Sequence, residues 1–97
     1  MKLKDVLEMH GFEVKHFPKE KIWIVHQYTP AGEDWSMTFY PLSDFKIYAE
    51  NYDPREDFKE LFEAGQRGFR GVPDIPELWQ DQLWKQEVLN MVLEDLG

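Results

Sequence analysis

Ile22-Trp23-Ile24-Val25-His26-Gln27-Tyr28 is the stretch on which the fold depends. Ile, Val, Trp and Tyr dominate it, and branched or ring side chains suit a pleated strand better than a helix. Just before it, Pro18-Lys19-Glu20-Lys21 reads as a turn, and Phe12-Glu13-Val14-Lys15-His16-Phe17 alternates as a strand does. Just after it, Thr29-Pro30-Ala31-Gly32-Glu33-Asp34 holds the Pro and Gly of a second turn. Trp35-Ser36-Met37-Thr38-Phe39-Tyr40 then alternates strictly, with Trp35, Met37 and Phe39 on one face. Three strands joined by short turns predict an antiparallel meander. With Lys19-Glu20 at the first hairpin tip, His26 faces Glu13 across the strands.

Helical signals flank this core. Leu3, Val6, Leu7 and His10 have helical spacing, and Gly11 supplies a stop, so residues 2–10 read as a short amphipathic helix. Residues 43–51 read as a helix carrying Phe45, Ile47 and Tyr48, with a fourth strand over 45–48 as the alternative. Asp53-Pro54-Arg55-Glu56 combines a capping Asp, Pro at the first helical position and Glu three residues after the cap. Phe58, Leu61 and Phe62 give that helix its apolar stripe, and Gly65 or Gly68 ends it. Asp74-Ile75-Pro76-Glu77 repeats the device and opens a helix to Leu96. Its expected main stripe is Ile75, Leu78, Trp79, Leu83, Leu89, Val92, Leu93 and Leu96, with Trp84, Val88 and Met91 as a second line. A three-stranded sheet needs one face covered, so the expected fold is α+β: a meander packed against helices, chiefly the long C-terminal one. Residues 1–97 read as a single domain.

Composition narrows the function classes. Apolar residues are 42% and aromatics 15% of the chain, enough for an aromatic-rich core. With no cysteine, disulfides, thiolate zinc sites and Cys nucleophiles are excluded, and a reducing cytoplasm is the expected compartment. The charged start Met1-Lys2-Leu3-Lys4-Asp5 does not read as a signal peptide, and no run approaches the roughly 20 apolar residues of a membrane span. A net charge of −8 disfavours direct contact with nucleic acid or anionic lipid.

That charge is lopsided. Residues 1–49 carry six Lys/Arg against seven Asp/Glu, whereas residues 50–97 carry five against twelve. Asp53, Glu56, Asp57, Glu60 and Glu63 cluster on one predicted helix, and Glu56, Glu60 and Glu63 share a face over about 10 Å of its axis. Such a row could stand in for a short segment of nucleic-acid backbone. The row therefore reads either as a solvated outer face or as a surface for a basic partner. Asp81, Glu87, Glu94 and Asp95 would add to the field. Trp84, Val88 and Met91, if exposed, would supply an apolar anchor. The alternative is that the helix is buried on two sides, against sheet and helices, or pairs with a copy of itself. Gln66-Arg67-Gly68-Phe69-Arg70-Gly71 is basic and glycine-rich but lacks the strand before it and the Lys-Ser/Thr after it of a phosphate loop.

Signs of catalysis are poor. His10, His16 and His26 are scattered, with no metal-binding spacing, and neither Ser36 nor Ser43 sits in a Gly-x-Ser-x-Gly elbow. No cofactor, metal or enzymatic activity is expected.

Tyr28-Thr29-Pro30-Ala31-Gly32-Glu33-Asp34-Trp35, Tyr52-Asp53-Pro54, and Gly71-Val72-Pro73 ahead of a long acidic helix together resemble small acidic proteins carried by phages and mobile elements of Firmicutes. The resemblance covers about residues 20–95 and implies an accessory-gene context, where inhibitors of host defence of the anti-CRISPR and anti-restriction kinds occur. It carries over no functional residue. The expected function is thus a non-enzymatic inhibitor that occupies a basic nucleic-acid-binding surface, of a CRISPR nuclease or a restriction enzyme, as a DNA mimic. The alternative is a homodimeric interaction protein without mimicry.

Overall fold

The structure, a computed structural model, describes residues 2–66 and 75–97. Its elements in chain order are α1 (Leu3–Met9), β1 (Glu13–Phe17), β2 (Ile22–Tyr28), β3 (Asp34–Phe39), α2 (Asp44–Glu50), α3 (Pro54–Gln66) and α4 (Ile75–Leu96). The three strands form an antiparallel sheet in the order β1-β2-β3, as the alternation predicts. Glu13 pairs with His26, Ile24 with Lys15 and Thr38, and Trp35 with Gln27. The fold is α+β, and α2 takes residues that were ambiguous between helix and strand.

Gly11 ends α1 for a definite reason. Its φ of +91° is open to glycine at little cost, and a Cβ there would lie 3.0 Å from Gln27 Oε1. The Gly11 N–H then donates to the Glu8 carbonyl and the Phe12 N–H to the Leu7 carbonyl, a double closure of the helix end. Leu7 and Phe12, one on each side of this stop, both enter the core.

One sheet face is covered. Val25 and Trp35 point to the same side as Val6, Leu7, Phe12, Phe45, Val88, Leu89 and Val92, and these side chains make one buried cluster. Rings interlock through it: Phe12 lies 5.1 Å from Trp35 and 5.7 Å from Phe45, and Phe39 lies 5.7 Å from Phe45, centroid to centroid. Tilted and edge-on contacts of this kind add to the burial of area. Helices α1 and α2 both pack on α4, and α3 packs on α4 at the margin of this layer, with Phe58 edge-on to Trp79 at 5.6 Å.

Helix α4 differs from its expected pattern. Its buried positions are Leu78, Asp81, Gln82, Lys85, Val88, Leu89 and Val92, whereas Leu83 is 39% exposed. Those positions recur at three- and four-residue steps, as a helix stripe should, but three consecutive members are polar. The Gly68 helix stop, the Asp74 cap and most of the Gln66–Gly71 patch lie outside the described residues. No helix among the described residues is long and apolar enough to cross a membrane.

Candidate functional site

The polar middle of α4 faces the turn between β2 and β3 and the first turn of α3. Lys85, 1% exposed, places its ammonium 2.7 Å from Glu33 Oε1 and 2.9 Å from Asp57 Oδ2, and 5.5 Å from the centre of the Trp35 ring. Gln82 donates to the Leu78 carbonyl at 3.0 Å and to Glu33 Oε2 at 3.4 Å. The Tyr52 hydroxyl lies 2.9 Å from Asp57 Oδ2 and 3.1 Å from Gln82 Oε1, its one proton serving both acceptors. Asp81 accepts from the Thr29 hydroxyl and from the Ala31 N–H at 3.3 Å, while Thr29 Oγ1 accepts the Glu33 N–H at 2.9 Å. Every buried side-chain N and O among the described residues has a partner. Burying two carboxylates and an ammonium, with Asp57 partly buried beside them, is tolerable only because of this satisfaction. The network ties a loop and two helices into one arrangement.

Two tyrosines border it. Burial, opposed in part by the hydrogen bond from Trp35 Nε1 and reinforced by the charges of Asp57 and Glu33, pushes the Tyr48 phenol up to about 12. Tyr52 is raised further, first by burial and then by the Asp57 carboxylate. Both are neutral hydrogen-bonding groups in the physiological range and poor candidates for proton abstraction.

Outside the network, α2 and α3 frame an open groove of about 290 Å³. Ile47, Tyr48 and Tyr52 supply its apolar wall, and Asp53, Glu56, Asp57 and Glu60 its acidic one. Asp53 starts α3 by accepting the Arg55 N–H at 2.9 Å, which leaves the carboxylate at the surface. Glu56, Glu60 and Glu63 are exposed and make no ion pair with a described residue.

The expected site residues therefore divide. Asp53, Glu56, Asp57 and Glu60 are brought to one groove, and Glu63 follows one helical turn on. Asp57 is not a free charge, because it turns inward to Lys85 and Tyr52. The expected α4 anchor does not form. Val88 is 4% exposed within the core, and the half-buried Trp84 ring lies edge-on to Trp35 at 6.0 Å. Of that line only Met91, at 45%, is exposed. Trp84 and Val88, which would have helped to pair two long helices, are thus used within the chain. Asp81 is also removed from the expected steering charges, being 2% exposed, and Asp95 is held 2.6 Å from His10 Nε2. Ile47, 59% exposed, is an apolar residue of the groove that is not among the expected site residues. Its exposure depends on which side of α2 meets α4.

On the open sheet face, Asp34 Oδ1 lies 2.7 Å from His26 Nε2 and accepts the Ser36 hydroxyl at 3.0 Å. Here the carboxylate stands between Ser and His, whereas a nucleophile relay needs His in the middle. On the opposite face, His16 stacks on Trp23 with ring centres 4.0 Å apart. Among the described residues no group of three or more His, Asp or Glu side chains is placed to hold a metal. Comparison with protein-family models, curated proteins and solved structures gives no match.

Proposed function

We propose that this chain is a small, acidic, non-enzymatic binding protein whose α2–α3 groove receives a basic surface of a protein partner. The observation that carries this reading is the exposed row of Asp53, Glu56, Glu60 and Glu63, unpaired with described cations and running beside the apolar Ile47. Carboxylates of one sign steer encounter, but charge in water gives only salt-sensitive association. Tight binding needs a desolvated anchor. Ile47 and the edges of Tyr48 and Tyr52 take that part in place of the α4 line.

The partner class follows from the charge and from the accessory-gene resemblance. It is a nucleic-acid-handling defence protein, a CRISPR nuclease or a restriction endonuclease, whose duplex-binding surface the carboxylate row occupies in place of phosphates. Such a protein offers a dense array of Lys and Arg, and displacing nucleic acid from it inhibits without chemistry.

The test is duplex cleavage by a panel of purified restriction endonucleases and CRISPR nucleases, with and without the protein. The expected outcome is inhibition of at least one enzyme, weakened by added salt and abolished in the triple variant E56K/E60K/E63K, whose exposed positions leave the fold unchanged. Inhibition that survives the triple reversal would remove the acidic row from the mechanism. A panel left untouched by the wild-type protein would count against this partner class.

A further inference from the structure

Among the described residues, no helix lies over the outer face of the sheet. It forms a shallow concavity of about 290 Å³ whose surface includes Glu13, Lys15, Ile24, His26, Tyr28 and Ser36. Unlike the helical side, this face is close to neutral. Lys15 Nζ lies 3.0 Å from Glu13 Oε1, which leaves Asp34, hydrogen-bonded to His26, as the one unbalanced carboxylate among the residues that line it. In a molecule of net charge −8, a second copy is repelled by most of the surface but not by this part.

The strand register makes the face complementary to itself. Glu13, His26 and Ser36 lie in one row across the three strands, and Lys15, Ile24 and Thr38 lie in the next row of the same face. Consider a twofold axis between two stacked sheets, perpendicular to the strands and midway between these rows. It brings Glu13 opposite Lys15 of the second copy, and Lys15 opposite its Glu13. It also brings Ile24 opposite His26, Ser36 opposite Thr38, and Tyr28 toward Ile22. No like charges meet, and each intrachain Glu13–Lys15 pair becomes half of a ring of four alternating charges. Pairing of a patch with itself is what a twofold contact requires.

We infer that the protein forms a weak homodimer by stacking these outer sheet faces about that axis. Three strands spaced about 4.8 Å apart and rising about 3.3 Å per residue offer a patch of roughly 15 by 20 Å, well below the ~800 Å² per partner of a standard interface. Self-association is therefore concentration-dependent. The acidic helices stay on the far sides of the dimer, so the α2–α3 groove remains open and partner binding and self-pairing can be separated.

Sedimentation equilibrium of the full chain from about 10 µM to about 1 mM tests this, since that range covers weak association. A monomer–dimer equilibrium is expected. Glu13→Lys or Lys15→Glu alone places like charges opposite each other twice, and should raise the dissociation constant about tenfold. The exchange E13K/K15E restores the alternation and should restore the dimer. Both side chains are 59% exposed, so the variants keep the monomer fold, which circular dichroism verifies. A monomer throughout the range overturns the proposal. So does a dimer indifferent to the single reversals, or one that the exchange fails to rescue.

Discussion

Replacing Lys85 with Met keeps most of the side chain's length and methylene packing but removes the ammonium between Glu33 and Asp57. The side chains of these two carboxylates are 11% and 26% exposed, so water replaces the lost partner for Asp57 better than for Glu33. Glu33 would keep only the long bond from Gln82, at 3.4 Å, and its backbone contacts to Thr29. Breaking a buried ion pair from one side costs about 3–5 kcal/mol, and the partial hydration of Asp57 argues for the lower end. The contact of Lys85 with the Trp35 ring adds a loss of about 0.5–1 kcal/mol, which the relief of burying an ammonium offsets. The expected destabilisation is about 3 kcal/mol. For a 97-residue domain the unfolding entropy is about 0.2 kcal/mol/K, so Tm should fall by about 15 °C. Urea titration followed by tryptophan fluorescence should show a lower midpoint at unchanged slope. Adding E33Q and D57N to K85M removes the uncompensated charges and should recover about half the loss or more. A loss below about 1 kcal/mol for K85M would refute the view that the ammonium holds this seam together. A triple variant no better than K85M would move the cost from charge to packing.

Thr29→Val should cost about 2–3 kcal/mol in the same titration, because it strips a buried Asp81 oxygen and the Glu33 N–H of their partner. Thr29→Ser keeps the hydroxyl and should lose under about 1 kcal/mol. A Val variant as stable as the Ser variant would show that the hydroxyl is replaceable there. Stability should also decline in alkali. Tyr48 is raised from its ordinary value of 10 to about 12 in the folded chain, and Tyr52 is raised as well. Above pH 10 the unfolded chain releases phenolic protons that the folded chain retains, so stability is whole below pH 10 and falls as pH rises toward 12. Urea midpoints across this range, compared with those of Tyr52→Phe, should show a shallower fall in the variant. An equally steep fall would place the sensitivity elsewhere.

The meander was legible because each of its strands is read at short range. Strand alternation, the Pro and Gly of the turns, and the Gly11 stop are all local, and the structure has β1, β2 and β3 in those places. The start of α3 was legible for the same reason, since Asp53 and Pro54 act within one turn of themselves. The buried side of α4 was not. Periodicity marks apolar residues, and here the buried stripe passes through Asp81, Gln82 and Lys85. Apolar spacing alone therefore runs through Leu83 and leaves Trp84, Val88 and Met91 as a second line, exposed or buried. Only the partners of Lys85, more than 25 residues away in the chain, reveal why a charged residue is inside.

The chain by itself determined its α+β composition, its three strands and the excess of carboxylates in its second half, because these depend on residue identity and near-neighbour spacing. Tertiary structure alone decided which carboxylates remain available. It turned Asp57 and Asp81 inward and held Asp95 against His10, while leaving Glu56, Glu60 and Glu63 in water. The physical reason is that a carboxylate's role depends on whether a distant donor reaches it as the layers close, and that distance is set by packing.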